Sequence, residues 1–503
     1  MFGHGNSWIC VTLRNVWASA LIFVALPAMA ATPTLVQSKF CPNSGPANGS
    51  WGPPWIYTCP LPEPVQAGNL LVAGYVYDNS GAPTVTISDD KSNTWAQDVS
   101  HITPGVNVTR IAHVLSAAAG TRTIKLTLSS GNGYIGLYVQ EYYGLATSSV
   151  VDGTPVCQDS TATTYTSGSI TPTQTGDLFV EFGFNDGTGH TTSFTAGSGS
   201  DPNISWALLG ADHSDATVAQ YGIYSSTSAL NPTIRTGTSG PHTGCAVAFK
   251  SGGGGTPPTR PMRVVHMQDQ QMPMSSANPF RVAFPSTGNM LVISFNGGGD
   301  LITGISSTPS NTWSCTTGTI HGGDASQICY ACNANTSPTL TANITRSGNS
   351  HDGTFMLYDF TGAATSCFDN DSGPLGGIQT SVVSSLTTCA NCLTPSTSSG
   401  VFIANFAQDF CTATGANLPT GALFDAATYT GNSVYGPQPV DQNNGWLHFY
   451  NSSTGAITTT WAEVCTGNNG TNPQGSWAAD VAHFKAASST GPAPPTNLQA
   501  TPH

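Results

Sequence analysis

Glutamate is rare in this chain, and two of its four glutamates sit where they could do chemistry: of Glu63, Glu141, Glu181 and Glu463, the middle two follow apolar strand-like runs. Two carboxyl groups held about 5 to 10 Å apart across a sugar ring suffice for glycoside hydrolysis, one as acid and the other as base or nucleophile. Glu141 closes Leu137-Tyr-Val-Gln-Glu141-Tyr-Tyr-Gly144, and Glu181 follows Leu178-Phe-Val180. If both leave one sheet face they make an acid/base pair in the first half of the chain. The competing reading has Glu141 accepting hydrogen bonds near a strand end and Glu181 turned to solvent.

A second constellation is aromatic. Trp51, Trp55 and Tyr57 crowd into the Pro-stiffened loop Asn48 to Cys59, which a Cys41/Cys59 disulfide would close. Flat ring faces on a rigid loop can stack on sugar rings without using charge, or they can plug an open sandwich end. Trp206 is a further candidate, as are Trp446, Trp461 and Trp477, whereas Trp95 and Trp313 fall at matching sites and read as core. Asp369 and Asp371, in Asp369-Asn-Asp371-Ser-Gly373, alternate oxygen ligands as a calcium loop does. They lack the third ligand and the distant Glu of such a loop, so a turn with local Asx bonds competes with structural calcium. No other cofactor is implied. The nucleophile elbow Gly-x-Ser-x-Gly, His-Glu-x-x-His and the phosphate-binding P-loop are all absent. The one Gly-x-Gly-x-x-Gly string, Gly131 to Gly136, leads into a strand rather than a helix, so it reads as a turn.

Cysteine usage points to an oxidising compartment. Beyond Cys10 there are four cysteines in the first half, Cys41, Cys59, Cys157 and Cys245, and eight from Cys315 to Cys465, with Cys411 among them. Both counts are even, as disulfide frameworks require. Cys329/Cys332 and Cys389/Cys392 have Cys-x-x-Cys spacing, compatible with zinc or thiol exchange, but no thioredoxin-like βαβ pattern surrounds them. Arg14, the short apolar run Val16 to Leu26 and Ala28-Met29-Ala30 form an export signal over residues 1–30, cleaved near Ala30. The apolar run is too short to span a bilayer. The expected product is secreted or held at the cell surface without membrane insertion.

The elements that must position these residues are short. Apolar runs bounded by Gly, Asn, Asp or Pro recur throughout, and Thr84 to Ser88, Thr123 to Leu128 and Thr233 to Arg235 alternate as half-wet strands do. No sustained helical period occurs. The connector Ser251 to Thr259, Gly-rich then Pro-rich, separates two stretches that repeat one another, and reads as a flexible to semi-rigid spacer. Gly68-Asn69-Leu-Leu-Val72 answers Gly288-Asn289-Met-Leu-Val292, Ser92-Asn-Thr-Trp95 answers Ser310-Asn-Thr-Trp313, and Ala248-Phe-Lys250 answers His483-Phe-Lys485. The predicted architecture is all-β, with two tandem antiparallel jelly-roll-like sandwiches at 31–250 and 262–486, a linker at 251–261 and a Pro-rich tail at 487–503.

These motifs resemble secreted bacterial β-sandwich modules of the concanavalin-like jelly-roll type, and the tail from Pro492 resembles the start of a fibronectin type III domain. The resemblance implies fold and compartment more than activity. Charged residues are only 8% of the chain and the net charge is -13, so no cationic patch exists to displace counterions from nucleic acid or to hold anionic lipid. The composition instead fits non-catalytic attachment to extracellular polysaccharide or another surface polymer. A polysaccharide-active hydrolase or lyase using Glu141 and Glu181 is the alternative, and a structural surface or adhesin protein is the third reading.

Overall fold

The computed structural model describes residues 32–488 except 42–53, 80, 103–106, 131–134, 186–193, 198–200, 213–216, 236–238, 273–276, 349–352, 380–384, 409–411, 414–421, 431–441 and 465–474. The expected export signal, Trp51, Cys411, Cys465 and the tail beyond 488 lie outside the described residues. Every element among the described residues is a β-strand, and the neighbouring strands within each unit pair antiparallel.

In the first stretch the strands Thr34–Cys41, Ile135–Tyr143, Leu70–Asp78, Asn107–Val114 and Ala96–Ile102 pair in that order, and Trp55–Pro60, Thr123–Leu128 and Val85–Asp89 form a facing three-stranded sheet. Numbered one to eight along the chain, this is order 1-8-3-6-5 against 2-7-4, the interleaved Greek keys of a jelly roll. The same order recurs in Val151–Phe249, where the broad sheet runs Val151–Ser160, His242–Phe249, Asp177–Asn185, Thr217–Tyr224, Ile204–Asp212. It recurs again from Arg263–Met272 to Gly353–Thr361, and from Ala363–Asp371 to Gly475–Ala486. Among the described residues the strands thus group into four units, of eight strands each in the first half and nine each in the second, where one strand position is split in two; the sequence reads as one sandwich per half.

The first and second units pack their broad sheets back to back, burying Leu70, Val72, Tyr138 and Tyr142 against Val180, Phe182, Val247 and Phe249. The third and fourth do the same through Val292, Met356 and Tyr358 against Val401, Ile403 and Trp446. Central broad-sheet strands are consequently covered on both faces, and Leu70–Asp78, Met290–Gly298 and Gly400–Gln408 are buried along their whole length. That is why they read as unbroken apolar runs. The outer three-stranded sheets have one wet face, and Thr123–Leu128 alternates accordingly.

The halves meet at a seam where two sheets fuse, and Ile204–Asp212 also packs on Phe280–Ser286. Thr34–Cys41 pairs in parallel with Arg263–Met272, fusing two broad sheets into one of eleven strands and covering two edges at once. The Gly-rich connector is a fixed strap rather than a spacer. Gly254 donates to the Leu145 carbonyl at 2.7 Å, Gly252 to that of Gly144 at 3.0 Å, and Thr256 to Asn69 Oδ1 at 2.6 Å. The glycines are there for close approach, since a Cβ on Gly252 or Gly254 would lie 2.5 Å from atoms of Ala146 or Thr147.

Candidate functional site

The structure does not bring Glu141 and Glu181 together. Tyr142, next to Glu141, and Val180 and Phe182, flanking Glu181, all belong to the core between the first two units. Side chains alternate along a strand, so both carboxylates turn the other way, each into the interior of its own sandwich. Both are fully buried. Glu141 accepts from Gln37 Nε2 at 2.5 Å, Asn69 Nδ2 at 2.6 Å and the Gln66 amide at 2.8 Å. Burial raises its pKa against these bonds. Glu181 accepts from Ser167 Oγ at 2.6 Å and Gln220 Nε2 at 2.5 Å, and burial lifts its pKa to about 8.

Glu141 belongs to a recurring clamp. In the third unit Asp359, again near the end of the eighth strand, accepts from the amides of Thr287 at 2.7 Å and Gly288 at 3.0 Å, just before the third strand. In the second and fourth units the carboxylate comes from the first strand instead. Asp152 accepts from the Thr173 amide at 2.6 Å and hydroxyl at 2.7 Å, and Asp369 from the Ser396 amide at 2.7 Å and from its hydroxyl. Each carboxylate satisfies donors of the loop entering a central strand, which would otherwise be buried unpaired.

The Asp369 oxygens are thus occupied by Ser396 and by His483 Nδ1 at 2.8 Å, while Asp371 Oδ1 accepts the Gly373 amide at 3.0 Å in an Asx turn. Despite burial, the bonds from Ser396 and His483 hold the Asp369 pKa low. Among the described residues no cluster of three or more His, Cys, Asp or Glu could hold a metal. The cysteines form Cys41–Cys59, Cys157–Cys245, Cys315–Cys329, Cys332–Cys367 and Cys389–Cys392. Cys329 and Cys332 take separate partners because neighbours of opposite orientation on a strand cannot both face one site, whereas Cys389 and Cys392 bond each other.

The aromatic candidates turn largely inward. Tyr57 is buried in the first sandwich, Trp55 packs half-buried against the same core, and Trp446 and Trp461 have no exposed surface. Trp477 packs on the core around Trp461, and Trp206 lies against that of the second unit. Trp95 and Trp313 hold the same position in the first and third units, donating to Asp89 Oδ2 at 2.8 Å and Ser307 Oγ at 3.2 Å.

The densest polar constellation is one that sequence reasoning missed, and it lies along the seam. Asp425 of the fourth unit accepts from His448 Nδ1 at 2.8 Å and the Tyr358 hydroxyl at 2.8 Å, and pairs with Arg122 of the first unit at 3.3 Å. His448 Nε2 faces Glu63 at 3.8 Å, and the Tyr450 hydroxyl donates to Glu63. Burial by itself lowers the His448 pKa, but the charges of Asp425 and Glu63 outweigh it and raise it to about 9. Lys39, also fully buried, sits 3.3 Å from Asp269 and donates to the Asp425 carbonyl at 2.6 Å. His266 is wedged between Ser38 Oγ at 2.7 Å and Thr287 Oγ1 at 3.3 Å, and burial drops its pKa to about 3. The signal in the sequence was a run of three polar residues, Gln37, Ser38 and Lys39, inside a strand flanked by Leu35, Val36 and Phe40.

At the solvent end of this network a cleft of about 160 Å³ opens between the Glu63 turn and the connector, lined by Val36, Glu63, Gln66, Pro258, Arg260 and Arg263 among others. Arg260 lies 3.9 Å over the Tyr450 ring and 3.4 Å from Glu63, while Arg263 Nε has no hydrogen-bond partner. Fold and clamps together define an all-β, disulfide-braced protein of interlocked jelly-roll sandwiches. Comparison with family models, curated proteins and solved structures finds no match.

Proposed function

We propose that this chain is a secreted, non-catalytic attachment protein that recognises polysaccharide or another extracellular polymer, its modules being of the concanavalin-like jelly-roll type. The observation that carries the reading is the fate of the strand carboxylates. Glu141, Glu181, Asp359, Asp152 and Asp369 are committed to donors of their own fold, and none lines the cleft. Five disulfides among the described residues suit an oxidising compartment, and those residues include no helix long and apolar enough to cross a membrane.

The ligand contact we assign is the cleft at Glu63, Gln66, Arg260 and Arg263. Its volume is below the roughly 300 Å³ of a small-ligand pocket, which suits one sugar unit or a chain end. Its two guanidinium groups and the Gln66 amide offer hydrogen bonds to hydroxyl or carboxylate oxygens. The test is incubation of the chain with soluble and insoluble polysaccharides, scoring bound protein and released sugar in the same samples. Binding without release, weakened at least tenfold by Arg263→Ala, is the expected result. Oligosaccharide release that Glu141→Gln abolishes would overturn it in favour of a hydrolase or lyase.

A structural surface role is the second reading, favoured by the burial of both faces of the central broad-sheet strands and the inward turn of most described tryptophans. Absence of binding to every polymer would decide for it.

A further inference from the structure

We propose that Lys39 and Asp269 join in an intramolecular isopeptide bond, which the folded chain makes on itself across the seam between its halves. The two side chains come from strands that are hydrogen-bonded parallel neighbours: Lys39 is opposite Met267, and Asp269 is two residues further along on the same face. Lys39 is fully buried and Asp269 is only 3% exposed. Nζ stands 3.3 Å from Asp269 Oδ1, one bond from the carbon it would attack.

As an ion pair this arrangement is poor. A buried salt bridge offsets its desolvation only when further hydrogen bonds satisfy the remaining lone pairs. Here Asp269 Oδ1 receives no aligned hydrogen bond, while Nζ donates instead to the Asp425 carbonyl at 2.6 Å. As a reactant pair it is favourable. The carbonyl of Asp425 fixes the nitrogen, Arg122 and Asp425 complete the charged surroundings, and water is excluded. Burial lowers the Lys39 pKa and raises that of Asp269 to about 6, moving both toward the uncharged amine and acid that react.

The step balances without any co-reactant. Nζ of the neutral amine attacks Cγ of the protonated carboxyl, the N–C bond forms and the C–OH bond breaks. The hydroxyl leaves with a proton from nitrogen as one water, and Lys39 and Asp269 remain joined as a secondary amide. Holding the reactants in contact supplies the effective concentration that free lysine and aspartate lack.

The chain contains its own control. Lys250 lies 3.8 Å from Asp152 and Lys485 4.0 Å from Asp369, but both lysine side chains are 30% exposed and hydrated. These remain ion pairs.

The test uses the full chain, folded by the criterion of its β-type circular dichroism, then denatured, reduced and digested for mass spectrometry. The expected finding is a branched species in which the Lys39 and Asp269 peptides are linked and together one water lighter than their sum. It should be absent from Lys39→Arg and from Asp269→Ala. In Asp269→Asn the same linkage should form with loss of ammonia instead of water, which separates it from any unrelated dehydration. Recovery of unlinked Lys39 and Asp269 peptides from the folded wild-type chain overturns the proposal. So does water loss that maps elsewhere, or equal linkage at Lys250 and Asp152.

Discussion

Replacing Glu181 by Gln should flatten the pH dependence of stability without harming the fold. Glu181 has no solvent exposure, and its donors are Ser167 and Gln220, both neutral. No cation offsets the desolvation, so the carboxyl is held protonated, with a pKa of about 8 against a reference of 4.5. A group whose folded pKa lies above its unfolded one contributes stability that is complete below the unfolded value. That stability is lost as pH rises through the folded value. Between pH 4.5 and 8 the folded chain therefore binds a proton that the unfolded chain releases. The span corresponds to on the order of 5 kcal/mol at about 1.36 kcal/mol per unit. In a cooperative unit of about 150 to 250 residues, where 1 kcal/mol moves the midpoint by about 2–4 °C, the wild-type melting midpoint should drop by roughly 10 °C or more between pH 5 and pH 9. Gln keeps the shape of the neutral acid and cannot ionise. The assay is differential scanning calorimetry of wild type and Glu181→Gln at pH 5, 7 and 9. Similar midpoints at pH 5 with a clearly higher one for the variant at pH 9 are expected. Parallel profiles would refute the reasoning, because the other groups whose pKa the fold raises, among them Asp269, the buried Asp359 and Asp480, and His448, are common to both chains and their contributions cancel in the difference.

Two further perturbations test the packing. Gly362 has φ +74°, and a Cβ there would lie 2.2 Å from the Pro261 carbonyl oxygen. Gly362→Ala should therefore cost about 2–4 kcal/mol, read as a lower urea midpoint at unchanged slope. Cys157–Cys245 ties the first and eighth strands of the second unit across a separation of 88 residues. Its removal as the double Cys→Ser variant should destabilise by on the order of 4 kcal/mol in the chain-entropy account. Calorimetry with and without reductant checks it, since reductant should then add little further loss from this unit.

Much of the local structure was legible in the residues themselves. Thr123–Leu128 and Thr233–Arg235 alternate because they form outer sheets with one wet face, and they were recognisable as such. The match of Gly68-Asn69-Leu-Leu-Val72 to Gly288-Asn289-Met-Leu-Val292 was visible because both enter a third strand clamped from the eighth, by Glu141 and by Asp359. Gly176-Asp177-Leu-Phe-Val180 occupies the same place in the second unit. It escaped notice because the clamp there comes from Asp152 on the first strand, so the surrounding motif differs. The sequence repeats most clearly with a period of two units, and that hid the smaller one.

By itself, then, the sequence determined what depends on neighbours along the chain: the strands, the turns, the outer faces, and an all-β class with cysteines suited to disulfides. Tertiary structure alone decided what depends on partners far away. Asp425 lies 386 residues from Lys39, whose amine its carbonyl holds, and Glu63 lies 387 residues from Tyr450. Whether a strand carboxylate meets substrate, a second carboxylate or its own loop depends on which sheet covers which face. Side-chain alternation fixes only that Glu141 and Tyr142 point apart. The back-to-back stacking of broad sheets, set by apolar burial over whole faces, decided that Glu141 and Glu181 would end in separate interiors and that Lys39 would be sealed beside Asp269.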